Sequence, residues 1–378
     1  MDKLWQLQLA NLEGDDWKVA RSLFTPIFTS GKMKGMVKVM EEIGARLTDA
    51  LDKKLEQGVD FEIKDLMGKF SMDTLAASVF SIDPQSFKEV GEEQTEFVKH
   101  AAKIFKNGLD QIIISLRLIP FIGWINKLLK LNLNKPKSTR FFIQIVTDII
   151  AERRRTGLKK NDLIDLMLDC MNQEDNSNDM GEATGKHTRS KDNKSIDDNI
   201  LIATAMIFLI AGYDTTSLTL SFLAYELAKH PDAQNRLQQE IDEAYEDVDD
   251  SNAQLPEYTT IQNLSYLDNC IMETLRLHPV VGDIIRTCTQ DTKIDGVDHM
   301  FRKDDMVSIS AIGIQQDERY YPNPGQYNPD NFSKEARAQR DPYTFLSFGQ
   351  GPRNCIGMRF ALLEIKVIFL FTKLSHIL

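Results

Sequence analysis

The chain has 378 residues, 42% of them hydrophobic and 27% charged, with a formal net charge of −11. That length can bury one large core or two smaller ones, and the balance excludes a disordered or low-complexity chain. The acidic surplus argues against nucleic acid as the main partner, and the four cysteines, Cys170, Cys270, Cys288 and Cys355, show no CxxC spacing of a zinc site or disulfide framework.

Met1 to Asp16 lacks the basic start and apolar run of a secretory signal. Residues 1–12 enter without a cap, and 361–378 stop without a termination signal, so both ends read as cuts in a longer protein. Apolar positions at three- and four-residue spacing predict helices over 16–29, 33–57, 61–80 and 92–107. Residues 111–131 are unusually apolar and broken by Pro120 and Gly123. They read as two short core helices with a turn, or as a lip touching a membrane surface or substrate entrance. A further helix over 139–157 ends in Arg153 to Arg155 and Gly157. Residues 172–194 are polar and read as a solvated connection.

The longest predicted helix starts at a capping-box-like Ser195 and Asp198 and runs to Lys229, before Pro231. It is apolar nearly all round between Ile200 and Leu223, which predicts burial. Its longest apolar run, Ile200 to Gly212, is about half of the roughly 20 residues a membrane span needs, so no crossing is expected. Helices follow over 232–247 and 261–277. Short strands are predicted between Val280 and Ser310, and an ordered proline- and aromatic-rich loop over 317–347. The fold class is mainly α with a minor β region.

The sharpest motif is Phe348-Gly349-Gln350-Gly351-Pro352-Arg353-Asn354-Cys355-Ile356-Gly357, followed by a helix. A thiolate needs positive surroundings or backbone N–H donors, and a cysteine just before a helix N-terminus receives both. Gly351 and Gly357 allow close approach of a flat cofactor, and Arg353 would meet an anionic group on it. No histidine lies near Cys355, which counts against a cysteine protease. Within the long helix, Ala211-Gly212-Tyr213-Asp214-Thr215-Thr216 places a carboxylate and a hydroxyl beside small residues. A carboxylate in an apolar helix is costly without work or a partner, and the Thr215 hydroxyl can compete for the Ala211 carbonyl and distort the turn. Glu273 and Arg276 stand three apart on a helix that Pro279 closes; alone, such a pair is usually a surface ion pair.

The cysteine segment resembles the haem-binding signature of the cytochrome P-450 family, with Phe348, Gly351, Arg353, Cys355 and Gly357 filling all five fixed positions. The resemblance covers essentially the whole chain from Trp17 to the last helix, and its flavour is that of the animal microsomal branch. It implies a single large helical domain over 1–378, incomplete at both ends and lacking the N-terminal anchor, the first sheet and a C-terminal hairpin. It implies a haem b cofactor (iron protoporphyrin IX) with Cys355 as the iron ligand, its sulfur pushing electron density toward O–O cleavage. The segment Ala211 to Thr216 resembles the family's oxygen-binding motif, which gives Thr215 and Asp214 catalytic roles in hydrogen bonding and proton delivery and sets Ala211 and Gly212 against the cofactor. Tyr213 and Thr216 are read as packing.

Trp17, Arg21, Arg286 and Arg353 match the positions that hold haem propionates. Glu273 and Arg276 match a buried structural pair, with Asn331 standing where a second arginine is usual. Ser81 stands where glycine is common, and "MFRKDD" replaces a Pro-Lys-Gly turn. Ile207, Ile210, Ala211, Val280 and Val281 are expected to touch a lipophilic substrate. The reaction implied is monooxygenation with dioxygen, with electrons from an NADPH-dependent flavoprotein reductase. The parent would reside in the endoplasmic reticulum membrane, cytoplasmic face, held by the missing anchor and by residues 111–131 in the lip reading. The alternatives are a haem-thiolate isomerase or dehydratase, and a truncated product that binds no haem.

Overall fold

The computed structural model describes residues 3–58, 60–88, 93–105, 136–179, 197–246, 248 and 255–372. The apolar segment 111–131 and Ser195 lie outside them. The chain divides into two compact units, Met1–Asp214 and Thr215–Leu378, with the boundary inside one long helix.

The first unit contains α1 (Lys3–Gln6), α2 (Gly14–Phe24) with a 3₁₀ turn at Thr25–Phe28, α3 (Ser30–Gln57), α4 (Ile63–Phe80), α5 (Glu96–Phe105), α6 (Pro136–Thr156) and α7 (Leu163–Asp179). It also holds the first half of α8 (Asp198–Lys229). In α3 the residues Met33, Met36, Met40, Ile43, Leu47 and Leu51 recur at helical spacing and are all buried, forming the stripe that packs on α4. Gly58 ends α3 in the left-handed conformation at φ 60°.

Three helix ends meet around Asp162. Its carboxylate accepts the Asp165 N–H at 2.9 Å, which caps α7, and the Arg153 guanidinium at 2.8 Å from the end of α6. It also accepts the Ser81 hydroxyl at 2.7 Å from the end of α4. Ser81 has φ 52°, a conformation that suits glycine. Its bond to Asp162 gives the side chain a use that glycine would lack. The second departure from the family pattern, Asp304 within "MFRKDD", also turns at a glycine-favouring φ of 71°, where its backbone N–H donates to Cys288 O at 2.8 Å.

Helix α7 extends to Asp179, so residues 172–179 are helical and the polar connection expected from 172 begins later. The buried stretch Leu163–Leu168, apolar but for Asp165, docks on α2 and α4 and anchors a helix whose second half is polar. Helix α8 takes its cap from Asp197, whose carboxylate accepts the Ile200 N–H at 3.1 Å. At 32 residues it is long and apolar enough to cross a bilayer by length and composition, more than the expected run allowed. Half of its most apolar window is buried in the protein, as in a core helix.

The second unit continues with α9 (Pro231–Tyr245), α10 (Tyr258–Gln262) and α11 (Ser265–Leu277). Next come β1 (Asp283–Thr287), β2 (Thr292–Lys293), β3 (Met300–Phe301) and β4 (Met306–Ser310). β1 pairs antiparallel with β4, with Ile285 opposite Ser308, and β2 pairs with β3. These are the expected short strands. After α12 (Ala311–Gln315), the expected loop contains 3₁₀ turns at Pro329–Phe332 and Pro342–Thr344 and the short α13 (Lys334–Ala338). The fully buried α11 side chains Leu267, Ile271 and Arg276 pack against α9, the Pro329–Phe332 turn and α14 (Met358–Thr372).

Candidate functional site

In the second unit the cysteine loop is closed by its own backbone. The Gly349 N–H donates to Leu346 O at 2.8 Å, Asn354 N–H to Gly351 O at 3.1 Å, and Cys355 N–H to Phe348 O at 2.8 Å. Gly349 and Gly351 make these turns at φ 67° and 78°. Phe348, Gly351, Arg353, Cys355 and Gly357 are thus gathered in one tight loop, three residues ahead of α14. Of the four cysteines, none of them in a disulfide, Cys355 is exposed. Cys270 is buried among α11 neighbours, and burial pushes its thiol up to about 12, which makes it an inert packing group. Burial also raises the Cys170 thiol. At Gly351 and Gly357 an added Cβ would meet no protein atom within 4 Å, so packing does not demand glycine there. An exposed thiol on a glycine-turned loop with open space at both glycines fits a flat, sulfur-ligated macrocycle.

Behind the loop lies the Glu273–Arg276 pair, both side chains 0% exposed. The surface pair that the spacing alone would give is ruled out. All five guanidinium N–H groups are used. Nε and Nη2 grip Glu273 at 2.7 and 2.8 Å, and Nη1 and Nη2 donate to the carbonyls of Gln315, Pro324 and Gln326 at 2.8–3.0 Å. Asn331 donates from Nδ2 to Glu273 Oε1 at 3.0 Å, so the neutral amide keeps a bond where the usual arginine would add a charge. A second cation enters from elsewhere. Arg340 donates to Asn331 O at 2.8 Å and lies 4.1 Å over the Tyr321 ring, which Arg276 also faces at 4.9 Å.

Two further side chains have no motif in the sequence. Gln315, fully buried, ties the end of α11 to the approach to the cysteine loop. Glu226, on α8, is 2.7 Å from His278, whose ring stacks on Phe222 at 4.3 Å, and this holds the chain entering Pro279, Val280 and Val281. The expected substrate contact Val281 is 52% exposed and Val280 is partly buried. Arg286 is exposed on β1 and donates to Ile285 O.

In the first unit, Trp17 and Arg21 occupy one face of α2, four residues apart and both half-buried. On α8, Leu201 to Met206 are buried, whereas Ile207, Ile210 and Gly212 are partly exposed and Ala211 is exposed. The expectation of burial all round the helix therefore fails over this stretch. An added Cβ at Gly212 would stand 2.8 Å from Leu75 Cδ2, and one at Gly68 2.9 Å from the Tyr213 hydroxyl. Gly212 thus has a packing reason of its own: Leu75 of α4 fills the space beside it. Tyr213 packs as expected, and burial raises its hydroxyl. Asp214 is not an enclosed carboxylate: its side chain is 53% exposed and stands 3.6 Å from Lys64 Nζ. The partly exposed Thr215 opens the second unit's share of α8, and its carbonyl accepts the Thr219 hydroxyl at 2.8 Å. The helix is continuous through 211–216. The expected propionate ligands are divided between the units, Trp17 and Arg21 in the first and Arg286 and Arg353 in the second.

An exposed cysteine in a glycine-turned loop, backed by a buried Glu-x-x-Arg pair, defines a haem-thiolate protein. Residues 5–375 match the family model for cytochrome P450, and the chain belongs to that family. It is 35% identical to cytochrome P450 3A12 of Canis lupus familiaris over 94% of this chain and 66% of that protein. It is 36% identical to cytochrome P450 3A11 of Mus musculus over 93% and 66%, and 37% identical to cytochrome P450 3A5 of Homo sapiens over 94% and 66%. The chain spans about two thirds of the length of these relatives. Haem is the family's cofactor, and the animal microsomal branch stands as the group this chain resembles.

Proposed function

We propose that the protein is a haem-thiolate monooxygenase that inserts one atom of dioxygen into a lipophilic organic substrate and reduces the other to water. Two electrons would come from NADPH through a flavoprotein reductase. The observation that carries this reading is Cys355, exposed at the tip of a loop that its own backbone closes, in a chain of the cytochrome P450 family. Bound haem supplies the oxygen chemistry, to which a thiolate ligand contributes electron density that favours O–O cleavage.

The chain's own residues orient and protonate. Cys355 would hold the iron, with Phe348, Gly351 and Gly357 shaping the ground beneath the ring. Trp17, Arg21, Arg286 and Arg353 would donate to the two propionates, which need N–H donors. Ala211 leaves the helix surface low. Thr215 would present its hydroxyl to the oxygen-binding position. Asp214, solvated and beside Lys64, would pass protons inward from bulk water. Ile207, Ile210, Ala211, Val280 and Val281 supply apolar surface for substrate. The relatives support placing the parent at the endoplasmic reticulum membrane, and we set it on the cytoplasmic face.

The test is the reduced carbon-monoxide difference spectrum of the haem-loaded protein, followed by Cys355→Ser. The expected result is a thiolate-type Soret band that Cys355→Ser abolishes together with substrate oxidation. An unchanged spectrum in Cys355→Ser overturns the assignment, and absence of any band favours the haem-less product. NADPH consumption coupled to product formation separates a monooxygenase from an isomerase or dehydratase.

A further inference from the structure

The geometry points to Gln315 as a positioning residue for the Cys355 loop, an amide that sets the sulfur's height by pinning the chain where it enters the loop. The inference rests on the proposed function, in which that sulfur binds haem iron. Gln315 ends α12 and is 0% exposed. Its side chain uses every hydrogen-bonding position it has. Nε2 donates to the carbonyls of Leu275 and Arg276, at 3.2 and 3.1 Å. Oε1 accepts the Leu346 N–H at 2.8 Å and the Ser347 hydroxyl at 3.1 Å, a hydroxyl shared with Leu275 O at 2.9 Å. Its backbone carbonyl accepts Arg276 at 3.0 Å.

The chemistry of these partners leaves one solution. Two carbonyls can only accept and a backbone N–H can only donate, so the group between them must offer a donor on one side and an acceptor on the other. A carboxylate of the same shape would face the Leu275 and Arg276 carbonyls with acceptors alone, and an aliphatic side chain would leave buried polar groups unpaired.

The connection to the sulfur is short. Leu346, held at its N–H by Gln315, offers its carbonyl to the Gly349 N–H at 2.8 Å, which makes the first turn of the loop. Phe348 then accepts the Cys355 N–H at 2.8 Å. Two bonded turns thus separate the buried amide from the cysteine, and the amide in turn sits on the last residues of α11, which the Glu273–Arg276 pair fixes. The Glu-x-x-Arg pair reaches the thiolate loop through Gln315.

The test uses the haem-loaded full chain and compares Gln315→Ala, Gln315→Glu and Ser347→Ala with the unsubstituted protein. The readout is the rate at which the ferrous carbon-monoxide spectrum passes from its thiolate form to its neutral-thiol form, at a temperature where circular dichroism shows each protein folded. Both Gln315 variants are expected to speed that conversion by about tenfold, and Ser347→Ala by about threefold, for the hydrogen bonds each removes. A residue that only stabilised the fold would lower the unfolding midpoint and leave the conversion rate of the folded protein unchanged; that result overturns the inference. Where the Gln315 variants fail to fold, Ser347→Ala decides alone, and an unchanged rate in it overturns the inference equally. Absence of a thiolate band in the unsubstituted protein is a different failure: it removes the functional reading itself, and this inference with it.

Discussion

Two buried carboxylates, one in each unit, are treated very differently. Glu273, in the second unit, is 0% exposed and receives four donors: two from Arg276, the Asn328 N–H at 2.8 Å and the Asn331 amide. Asp73, in the first unit, has a side chain 1% exposed and is met by one residue's donors, those of Ser86, whose N–H lies 3.2 Å from both of its oxygens. Its nearest cation, Arg46, stands 3.7 Å away and is committed to Asp83 at 2.7 and 3.0 Å. Burial accordingly pushes Asp73 up to about 6, and the Ser86 bond and the Arg46 charge offset this only in part. The depth is alike; the number of donors differs. In the second unit, Asn328 and Asn331 donate to Glu273 while the carbonyls of Gln315, Pro324 and Gln326 accept from Arg276, so the pair holds that irregular chain in place, and the cysteine loop is built on it.

The hardest way to break the contrast is to remove the cation. Arg276→Ala leaves Glu273 charged and buried with its main partner gone, and also leaves three carbonyls without their donor. The expected loss is about 3–5 kcal/mol in urea unfolding, with failure of the chain to hold haem as the extreme. A loss below about 1 kcal/mol would show that water or other donors replace the guanidinium. Asn331→Asp is the next step down. It sets a second carboxylate near 3.0 Å from Glu273 Oε1. It should cost about 2 kcal/mol at neutral pH, part of which protonation of the new carboxyl recovers on acidification.

Asp73→Asn sharpens the comparison from the other side, because the sign reverses. The folded-state pKa is raised from 3.8 to about 6, so between those values the native state holds more protons than the unfolded one. Stability therefore falls as pH rises from about 4 to about 6, and the penalty persists above that window. Asparagine keeps an acceptor for the Ser86 N–H and carries no charge. The variant is expected to gain on the order of 2 kcal/mol at neutral pH and to gain nothing at about pH 4, read from unfolding midpoints across that range. A gain that is equal at both ends would place its cause outside Asp73 ionisation.

The sequence made some of this legible and concealed the rest for identifiable reasons. The thiolate loop was readable because its glycines, arginine and cysteine act within ten consecutive residues, so spacing and geometry are nearly the same information. The Glu273–Arg276 pair was readable as a helical neighbour pair, but the bonds that make it a keystone come from Gln315, Pro324, Gln326, Asn328 and Asn331, far along the chain. Gln315 left no signal, since a glutamine followed by another at the end of a short helix reads as a surface amide. The second half of α7 leaves no helical signal because Asn172 to Asp179 has no apolar periodicity; the buried first half carries it. The environment of Asp214 is hidden from the sequence for the opposite reason. An apolar pattern all round α8 predicts burial everywhere, while Lys64, 150 residues earlier, meets it at a half-exposed surface.

That third carboxylate supplies the smallest predicted effect and the cleanest separation of stability from chemistry. Lys64 and Asp214 are 45% and 53% exposed and 3.6 Å apart, the regime in which an ion pair contributes under about 0.5 kcal/mol and fades with added salt. Lys64→Ala should leave the unfolding midpoint within that margin, and so should Asp214→Asn, since an exposed carboxylate loses little when it becomes an amide. Turnover should behave otherwise: Asp214→Asn removes a group that can carry a proton and should slow substrate oxidation by about a hundredfold, with the thiolate spectrum intact. An Asp214→Asn variant that lost 2 kcal/mol or more would resemble the Glu273 case, a carboxylate kept for its bonds. The slow turnover would then report a deformed helix, and the proton would have to travel another way.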